Sequence, residues 1–270
     1  MTDATPVPAR IRRDRMLSLV RDREFIRVAD LAERFDVSEV TVRTDLDALA
    51  SRGLLRRVRG GAVPGASPVV ERRFEESRIT AAAEKTAIGH AAAAMIASGD
   101  TVILDVGTTT TAVAQALAAR EDLTDVTVFT SSLTIAMALE VATPRFTVVV
   151  TGGTLRPAQH SLVEPLAGLV LAKIHAGVAF LGCNGVDVSA GVTNVNLPET
   201  QVKRMILAAA QRRVVCADHT KLGAVALAHV CDLDEVDLLL TDGNADPDLV
   251  GDLRETGLAI ELAAVKRSPT

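Results

Sequence analysis

Apolar residues recur at the spacing of an α-helix three times within the first fifty residues of the chain. The stripes that predict these helices are Ile11 and Leu19, with Arg15 between them at the same spacing; Val28, Leu31, Ala32 and Phe35; and Val42, Leu46 and Leu49. Ser38 lies before the third stripe and is a suitable N-cap, because its hydroxyl can accept a hydrogen bond from a free amide of the first turn. Gly53 ends this helix, and residues 54–59 alternate loosely up to Gly60-Gly61, which predicts a short β-hairpin.

The hydrophobic pattern changes after about residue 75. Short β-rich runs alternate with Ala- and Leu-rich stretches of helical length. The predicted strands are 101–106, 126–130, 146–151, 177–181, 213–217, 236–241 and 258–262, and the predicted helices are 81–97, 110–119, 133–141 and 198–210. This alternation predicts βαβ units and therefore an α/β fold with a largely parallel sheet covered on both faces. Ligands of such sheets bind at the carboxyl ends of the strands.

A stretch rich in Gly and Pro separates the two patterns. Residues 60–75 contain three Gly and two Pro, which favours an irregular connection. We therefore predict a first domain over residues 8–63, a linker over 64–75 and a second domain over 76–264.

Composition restricts the classes of protein that this chain can belong to. Of the 270 residues, 48% are hydrophobic, which is enough for two cores. The three cysteines form no C-x-x-C pair, which argues against a disulfide framework or a zinc site and indicates a reducing compartment. No segment approaches the roughly 18 apolar residues of a membrane span. We expect a cytoplasmic protein without a metal or cofactor.

The net charge of −5 hides an asymmetry along the chain. Residues 1–66 contain 13 Arg and 10 acidic residues, whereas residues 67–270 contain 16 basic and 24 acidic ones. Arg52, Arg56, Arg57 and Arg59 stand together with no acidic residue among them. Such a cluster is typical either of a solvated turn or of a surface that contacts the phosphate backbone of nucleic acid, and charge alone leaves both readings open.

The third predicted helix has a polar face. A step of about 100° per residue from Val42 places Leu46 and Leu49 near the buried direction. The residues on the other side, near the start of the helix, are Val40, Thr41, Arg43 and Thr44. Arginine and threonine reach bases or phosphates when a recognition helix enters the major groove. Periodicity alone is also compatible with a three-helix interaction module.

Two motifs in this first part resemble the DeoR family of bacterial regulators. Residues 37–46 read VSEVTVRTDL and residues 53–62 read GLLRRVRGGA, where that family usually shows S-x-x-T-[IV]-R-R-D-L and a wing that ends R-x-H-G-G-A. Thr44 replaces the usual second arginine, and Arg59 replaces the usual histidine. The resemblance implies a winged helix-turn-helix. The DNA-binding residues that we predict are Ser38, Val40, Thr41, Arg43, Thr44, Arg52, Arg56, Arg57 and Arg59.

Polar residues and glycines collect where the predicted strands of the second domain end. The run Asp105 to Thr111 (DVGTTTT) joins a strand to a helix, so its amides and hydroxyls can hold an anion, although simple capping by threonine is common. The equivalent runs are 130–132, 151–153, 182–187 and 217–223. Glu199 and Lys203 stand four residues apart on a helix, either as a surface pair or pointing into the same site.

These runs resemble the sensor domain of the DeoR family across roughly residues 75–262, a Rossmann-like domain that is similar in fold to ribose-5-phosphate isomerase and glucosamine-6-phosphate deaminase. The resemblance implies that Gly107, Thr108, Thr109 and Thr110 hold a phosphate, that Lys221 neutralises it, and that Asp105, Asp187, Lys203 and Asp218 read sugar hydroxyls. The effector-binding residues that we predict are Asp105, Gly107, Thr108, Thr109, Thr110, Ser131, Gly152, Gly153, Asp187, Glu199, Lys203, Asp218 and Lys221. Glu164-Pro165 departs from the usual Gly-Pro.

The resemblance therefore implies a regulator that binds double-stranded DNA, most simply a repressor released by a phosphorylated sugar or a related metabolite. An isomerase or deaminase fused to a DNA-binding module is the alternative. The isomerases carry a carboxylate-rich motif where residues 182–185 here read GCNG, so no pair of carboxylates for proton transfer is apparent. We accordingly predict no catalytic residue. Because helix-turn-helix proteins usually pair to match two half-sites, we expect a homo-oligomer, a dimer or a tetramer.

Overall fold

The computed structural model describes residues 8–21, 23, 25–50, 55–64 and 71–265, with the side chains of residues 10, 14, 21 and 64 left undescribed. The chain divides into two compact units, Met1–Pro68 and Val69–Thr270. Arg52 and Gly53 lie outside the described residues, as do residues 65–70, which are half of the predicted linker.

The first unit is a small helical bundle with a three-stranded antiparallel sheet of strand order β1-β3-β2. Its described elements are α1 (Ala9–Arg21), β1 (Ile26–Arg27), α2 (Val28–Phe35), α3 (Glu39–Ala50), β2 (Leu55–Val58) and β3 (Gly61–Pro64). The predicted hairpin is thus present as β2 and β3. The two-residue strand β1 was not predicted, because two residues carry no periodic signal. Its pairing with β3 brings the backbones so close that a Cβ on Gly61 would lie 2.3 Å from the carbonyl oxygen of Ile26.

The core of the first unit lies between its helices, and it corrects the predicted face of α1. Val42, Leu46 and Leu49 of α3 are buried as predicted. On α1, however, Met16 and Val20 are fully buried, whereas Ile11 is 46% exposed. The stripe that packs inward is shifted by one residue from the predicted stripe. Arg12 begins this inward stripe at helical spacing, and its guanidinium donates a hydrogen bond to the carboxylate of Asp45 on α3. The position predicted for the apolar Ile11 is therefore taken by a charged pair.

The second unit is an α/β domain. Its described helices and strands, in chain order, are α4 (Phe74–Ile79), α5 (Ala82–Ala94), β4 (Thr101–Leu104), α6 (Thr108–Ala118), β5 (Val126–Thr130), α7 (Leu133–Glu140), β6 (Phe146–Val150), β7 (Thr154–Arg156), β8 (Ser161–Val163), α8 (Leu166–Leu171), β9 (Ala176–Leu181), β10 (Gly185–Asp187), β11 (Gly191–Asn194), α9 (Leu197–Ala208), β12 (Ala210–Cys216), β13 (Ala228–Cys231), β14 (Leu238–Asp242), α10 (Pro247–Glu255) and β15 (Ile260–Ala263).

Seven strands form one parallel sheet in the order β15-β14-β12-β9-β4-β5-β6. Alternate residues of a strand pack into separate hydrophobic cores on the two faces of the sheet. In β4, Ile103 belongs to one core, and Val102 and Leu104 belong to the other. Both faces are therefore covered, as a parallel sheet requires. The predicted fold class, an N-terminal winged helix followed by a largely parallel α/β sheet, is confirmed.

The order of the strands reverses direction between β4 and β9. From β4 the chain proceeds outward through β5 and β6, and it then returns to the other side of β4 with β9, β12, β14 and β15. Such a reversal leaves a crevice at the carboxyl ends of the two central strands, which is where open α/β sheets bind their ligands.

Two smaller sheets decorate the same domain. Strands β7 and β8 form a hairpin, and β10, β11 and β13 form an antiparallel sheet. The sequence analysis did not predict these strands, nor α4 and α8, because each has at most six residues and lacks a clear period. It also missed α10, although its nine residues carry Val250 and Leu253 at helical spacing. No helix in the described ranges is both long and apolar enough to cross a membrane.

Candidate DNA interface and effector site

The start of α3 presents a polar face to solvent. Val40 is 68% exposed, Arg43 and Thr44 are also exposed, and Thr41 is half-buried. Ser38 caps the helix as predicted, because its hydroxyl accepts a hydrogen bond from the amide of Thr41 at 3.1 Å. This end of α3 is therefore free for contact with a partner of the first unit.

Local contacts hold the side chains of this face in place. Arg43 forms an exposed pair with Glu39, one turn earlier, at 2.6 Å. The hydroxyl of Thr44 donates to the carbonyl of Val40 at 3.0 Å. Because an exposed ion pair of this kind contributes only about 0–1 kcal/mol, Arg43 can exchange Glu39 for a base or a phosphate at little cost.

The arginines of the β2–β3 hairpin differ in their surroundings. Arg59 lies exposed at the tip and Arg56 is half-buried. Arg57 instead reaches back to α3, where it donates to the carbonyl of Arg43 at 3.0 Å and to the carboxylate of Asp47 at 2.9 Å. The structure thus places Arg57 as a link between the hairpin and α3.

A buried carboxylate that the sequence did not single out joins α1 to α3. Asp45 is 1% exposed and accepts hydrogen bonds from Arg12 at 2.6 Å and from Arg13 at 2.7 Å. Two of the arginines in the basic first part of the chain are therefore committed to holding α3. Asp45 lies beside Leu49 on the helical wheel of α3, and this position was the available signal.

In the second unit, two side chains and a backbone segment meet at the crevice between β4 and β9. Asp105 follows β4 directly and is fully buried. Its carboxylate accepts hydrogen bonds from the amide of Gly182, at the end of β9, and from Lys203 of α9. Lys203 also donates to the carbonyl of Gly182 at 2.9 Å. Two predicted site residues, Asp105 and Lys203, thus form one buried pair at the reversal point of the sheet.

Charge and burial oppose each other at Asp105. Burial raises the pKa of its carboxyl, whereas the ammonium of Lys203 and the amide of Gly182 act to lower it. One oxygen of Asp105 accepts these bonds, and the other, Oδ1, is buried without a hydrogen-bond partner within the described part of the chain. An acceptor in this state favours a donor such as a hydroxyl group.

The start of α6 forms the neighbouring part of the crevice. Gly107 has a φ of 142°, a conformation that side chains rarely adopt. Its carbonyl accepts hydrogen bonds from the hydroxyls of Thr110 and Thr111 at 3.0 and 2.7 Å. Thr108 is half-buried and Thr109 is buried. Since the first amides of a helix have no partner within the helix, this turn can bind an anion.

Asp218 and Lys221 lie on the turn that follows β12. Asp218 is fully buried, and its Oδ1 accepts the amide of Thr220 at 3.1 Å. Its Oδ2 has no hydrogen bond to a described group and lies 3.8 Å from the ammonium of Lys85 on α5. Lys221 is half-buried and forms no ion pair within the described residues.

Lys85 was missed by the sequence reasoning. It is 4% exposed and donates to the carbonyls of Ser77 and Thr80 at 2.6 and 2.7 Å. Burial lowers the pKa of Lys85, while Asp218 acts to raise it. Lys85 precedes Ile88 and Ala92 at helical spacing, so a cation on the apolar face of α5 was the available signal.

Glu199, on the first turn of α9, is 6% exposed and therefore not a surface pair with Lys203. Its Oε1 accepts hydrogen bonds from Ser161 of β8 at 2.6 Å and from Arg156 of β7 at 2.5 Å. The sequence did not predict Arg156 or Ser161, because they lie 43 and 38 residues from Glu199 and no local pattern connects them.

The remaining predicted residues are Gly152, Gly153, Ser131 and Asp187, and among them the hydroxyl of Ser131 is buried without a hydrogen-bond partner in the described part of the chain. Gly152 and Gly153 have φ values of 75° and 133°, and a Cβ on Gly153 would lie 2.0 Å from the carbonyl oxygen of Val163. Ser131 is buried beside β8, where its carbonyl accepts the amide of Leu162 at 2.7 Å. Asp187 is the last residue of β10, and its Oδ1 accepts hydrogen bonds from Ser189 and Ala190 in the turn that follows. None of the described contacts joins Asp187 to the other site residues, so its effector contact stays a prediction.

A winged helix with an exposed polar helix face, in one chain with an α/β unit whose polar residues converge at the strand ends, defines the class of two-domain transcriptional regulators. The comparisons identify the family. A model described as the DeoR-like helix-turn-helix domain matches residues 12–66, and one described as the DeoR C terminal sensor domain matches residues 80–243. The chain belongs to the DeoR family, and this prediction is confirmed.

Relatives match almost the whole chain. It is 33% identical over 249 residues to the HTH-type transcriptional regulator GlpR of Haloferax volcanii, covering 92% of this chain and 96% of that protein. It is 32% identical over 262 residues to the HTH-type transcriptional repressor CsqR of Escherichia coli, covering 97% of each. The predicted function as a DNA-binding transcriptional regulator rather than an enzyme agrees with these relatives.

Solved structures provide a weaker comparison. Ribose 5-phosphate isomerase A of Methanocaldococcus jannaschii matches with a TM-score of 0.38 and 17% identity, over 51% of this chain and 52% of that one. A similarity this low carries no inference about function.

Proposed function

We propose that this regulator is a repressor that binds operator DNA through α3 and the β2–β3 hairpin and leaves it when a phosphorylated sugar or related metabolite binds at the carboxyl ends of β4, β9 and β12. The proposal keeps the predicted boundaries, residues 8–63 for the DNA-binding domain, 64–75 for the linker and 76–264 for the sensor, and the end of the linker, residues 71–75, forms hydrogen bonds with the sensor. Acting on chromosomal DNA, the protein would work in the cytoplasm.

One observation carries the assignment of the effector as a phosphorylated polyol. Two buried carboxylate oxygens, Oδ1 of Asp105 and Oδ2 of Asp218, lack hydrogen-bond donors among the described groups. Lys221, the half-buried last residue of the turn His219–Lys221, forms no ion pair with a carboxylate among the described residues. Unsatisfied acceptors suit the hydroxyls of a sugar, and a cation without a described counter-charge suits a phosphate.

Charge balance at the site supports the same assignment. Lys203 is neutralised by Asp105, Lys85 faces Asp218, and Arg156 is shared by Glu199 and Glu71. Lys221 therefore brings the positive charge that remains for an added anion. Relatives named as repressors, among them the glycerol-3-phosphate regulon repressor of Escherichia coli at 28% identity, support repression and a small phosphorylated effector.

A thermal-shift screen of the full chain tests this proposal. The panel contains ribose 5-phosphate, fructose 1-phosphate, fructose 6-phosphate, glucosamine 6-phosphate and glycerol 3-phosphate, each beside its unphosphorylated counterpart. A ligand raises stability by about RT ln(1 + [L]/Kd), so a phosphorylated member should raise the Tm and its counterpart should not. A screen in which only unphosphorylated compounds raise the Tm contradicts the proposal.

The oligomeric state follows from the DNA target. Helix-turn-helix proteins usually bind two half-sites with two copies, and closed symmetric assemblies are the common form of homo-oligomers. We therefore propose an even-numbered homo-oligomer, which light scattering of the full chain in solution would measure.

A further inference from the structure

Residues 71–80, here called the entry segment, are the first described residues of the second unit and include α4. The β7–β8 hairpin holds the beginning of this segment. Arg156 donates to both carboxylate oxygens of Glu71 at 2.9 and 3.0 Å, and Gln159 donates to the carbonyl of Arg72 at 2.6 Å. The amide of Phe74 donates to the carbonyl of Ala158 at 2.9 Å.

Further contacts of the hairpin secure the first turn of α4. His160 bonds the carboxylate of Glu75 at 2.7 Å, and its ring packs edge-on against Phe74 with the ring centroids 5.6 Å apart. The hairpin is in turn fixed to the effector side of the sheet, because the amide of Leu133 donates to the carbonyl of His160 and Ser161 pairs with Ser132.

The end of the entry segment has a separate anchor. The ammonium of Lys85 donates to the carbonyls of Ser77 and Thr80, at the last turn of α4. Lys85 is buried, so these bonds are shielded from water and are stronger than they would be at the surface. The segment is thus held at one end by Arg156 and at the other by Lys85.

Each of these two cations also faces a carboxylate of the proposed effector site. Arg156 shares its guanidinium between Glu71 and Glu199, and Lys85 lies between the two carbonyls and Asp218. A ligand that donates hydrogen bonds to Glu199 or Asp218 weakens the negative charge that Arg156 or Lys85 meets on the site side. That change alters how strongly the cation holds the entry segment on the other side.

We propose that the entry segment is the element through which effector binding is communicated towards the DNA-binding unit, with Arg156 and Lys85 as the coupling residues. This inference rests on the proposed function, since it uses the same effector site. Coupling of this kind requires an element whose two arrangements a ligand stabilises differently. In this proposal the entry segment is that element, because each of its two anchors links one site carboxylate to one end of the segment.

A first experiment needs no effector. Hydrogen exchange of the full chain is measured by mass spectrometry for wild type, Glu199→Gln and Glu164→Gln. Glu199→Gln weakens the bond that fixes Arg156, so amides of residues 74–79 should exchange several-fold faster. Glu164 is a half-buried carboxylate next to β8 that makes no described hydrogen bond to the entry segment, so Glu164→Gln should leave exchange there unchanged. The proposal is wrong if the amides of residues 74–79 exchange at the wild-type rate in Glu199→Gln. It is also wrong if they exchange faster by the same factor in Glu199→Gln and Glu164→Gln.

A second experiment removes the bond between Arg156 and Glu71, which lies on the side of the entry segment and not on the side of the effector site. Glu71→Gln neutralises the carboxylate that pairs with Arg156 in the entry segment. Glu76→Gln is the control, because this carboxylate of α4 makes no hydrogen bond among the described residues. The measured quantity is the ratio of operator Kd with and without the phosphorylated compound that gives the largest thermal shift. This ratio is typically about 5–150-fold for allosteric coupling. It should fall towards one in Glu71→Gln and stay at the wild-type value in Glu76→Gln.

The two proposals fail in different ways. If no phosphorylated sugar shifts the Tm of the wild type, the proposed function is wrong, and the exchange experiment alone decides on the entry segment. If the wild type responds and Glu71→Gln keeps the full ratio, the coupling role of Arg156 is wrong while the proposed function stands.

Discussion

Buried charges occur as pairs in both units. Asp45 bonds Arg12 and Arg13 between helices of the first unit, and Asp105 bonds Lys203 at the reversal point of the sheet. A buried ion whose partner is removed keeps its desolvation cost without the compensating attraction. These pairs are therefore sensitive positions even where they touch no ligand.

The Asp105–Lys203 pair gives a prediction on stability. Asp105→Asn leaves Lys203 buried without a counter-charge and should lower the free energy of unfolding by about 3–5 kcal/mol. Asp122→Asn, in the exposed pair with Arg120, should cost only about 0–1 kcal/mol. Urea unfolding followed by circular dichroism measures both, because the chain has no Trp or Tyr for fluorescence.

A double variant separates charge from shape at the same pair. In Asp105→Asn with Lys203→Met the buried charge is gone, so the loss should be smaller than the sum of the two single losses. Additive losses would mean that the pair is not the source of the effect.

Arg43 gives a prediction on DNA recognition. Arg43→Ala should weaken binding to an operator selected in vitro from random duplexes by about 1–3 kcal/mol and relax the preference at one base position. Fluorescence anisotropy against the operator and a scrambled duplex measures the effect. Equal losses on both duplexes would make Arg43 a phosphate contact.

At the scale of elements, segments with a clear apolar pattern could be predicted, whereas segments defined by long-range contacts could not. The helix Val28–Phe35 and the strand Val126–Thr130 lie where their patterns placed them. The β7–β8 hairpin has no such signal, because its role comes from contacts with Glu199 and with the entry segment, each tens of residues away. Sequence reasoning therefore named Glu199 but not the residues that hold it.

In the hairpin of the first unit, too, contacts between distant residues could not be predicted from the sequence. Four arginines looked equivalent in the sequence, but Arg57 is bonded to α3, whereas Arg56 and Arg59 are not bonded there. Arg56→Ala with Arg59→Ala should lower the slope of log K against log salt by about 1.8, since each phosphate contact contributes about 0.9. Arg57→Ala should leave the slope nearly unchanged and lower the Tm of the first unit. A full slope change in Arg57→Ala would place that side chain on the DNA backbone.

For the whole molecule, the order of elements along the chain determined what could be foreseen. Alternating strands and helices predicted a parallel sheet, and the strand ends predicted which residues gather, because parallel strands share one carboxyl edge. The position of β9 next to β4 is a long-range fact, and it decides that Asp105 meets Gly182 and Lys203. The hydrogen bonds between the site residues therefore depend on the strand order and could not be derived from the local sequence pattern.

The same arrangement allows the two activities of the chain to be separated by one substitution. Lys221→Gln removes the cation that the proposed phosphate requires and leaves the first unit untouched. Binding of a phosphorylated sugar should weaken strongly, binding of the free sugar should change little, and operator affinity without effector should stay at the wild-type value. Lys173→Gln, at an exposed lysine of the same unit, is the matched control and should leave all three unchanged.

In a cell, Lys221→Gln should then give a repressor that stays on its operator. An effector lowers DNA affinity only as far as it binds the DNA-free state more tightly than the DNA-bound state. A variant that no longer binds the effector therefore keeps its full affinity for the operator. A reporter gene behind the operator would remain silent when the inducing sugar is supplied, whereas the Lys173→Gln strain would respond as the wild type does. Normal induction in the Lys221→Gln strain would show that Lys221 does not bind the phosphate, and the anion would then have to be held by the start of α6 alone.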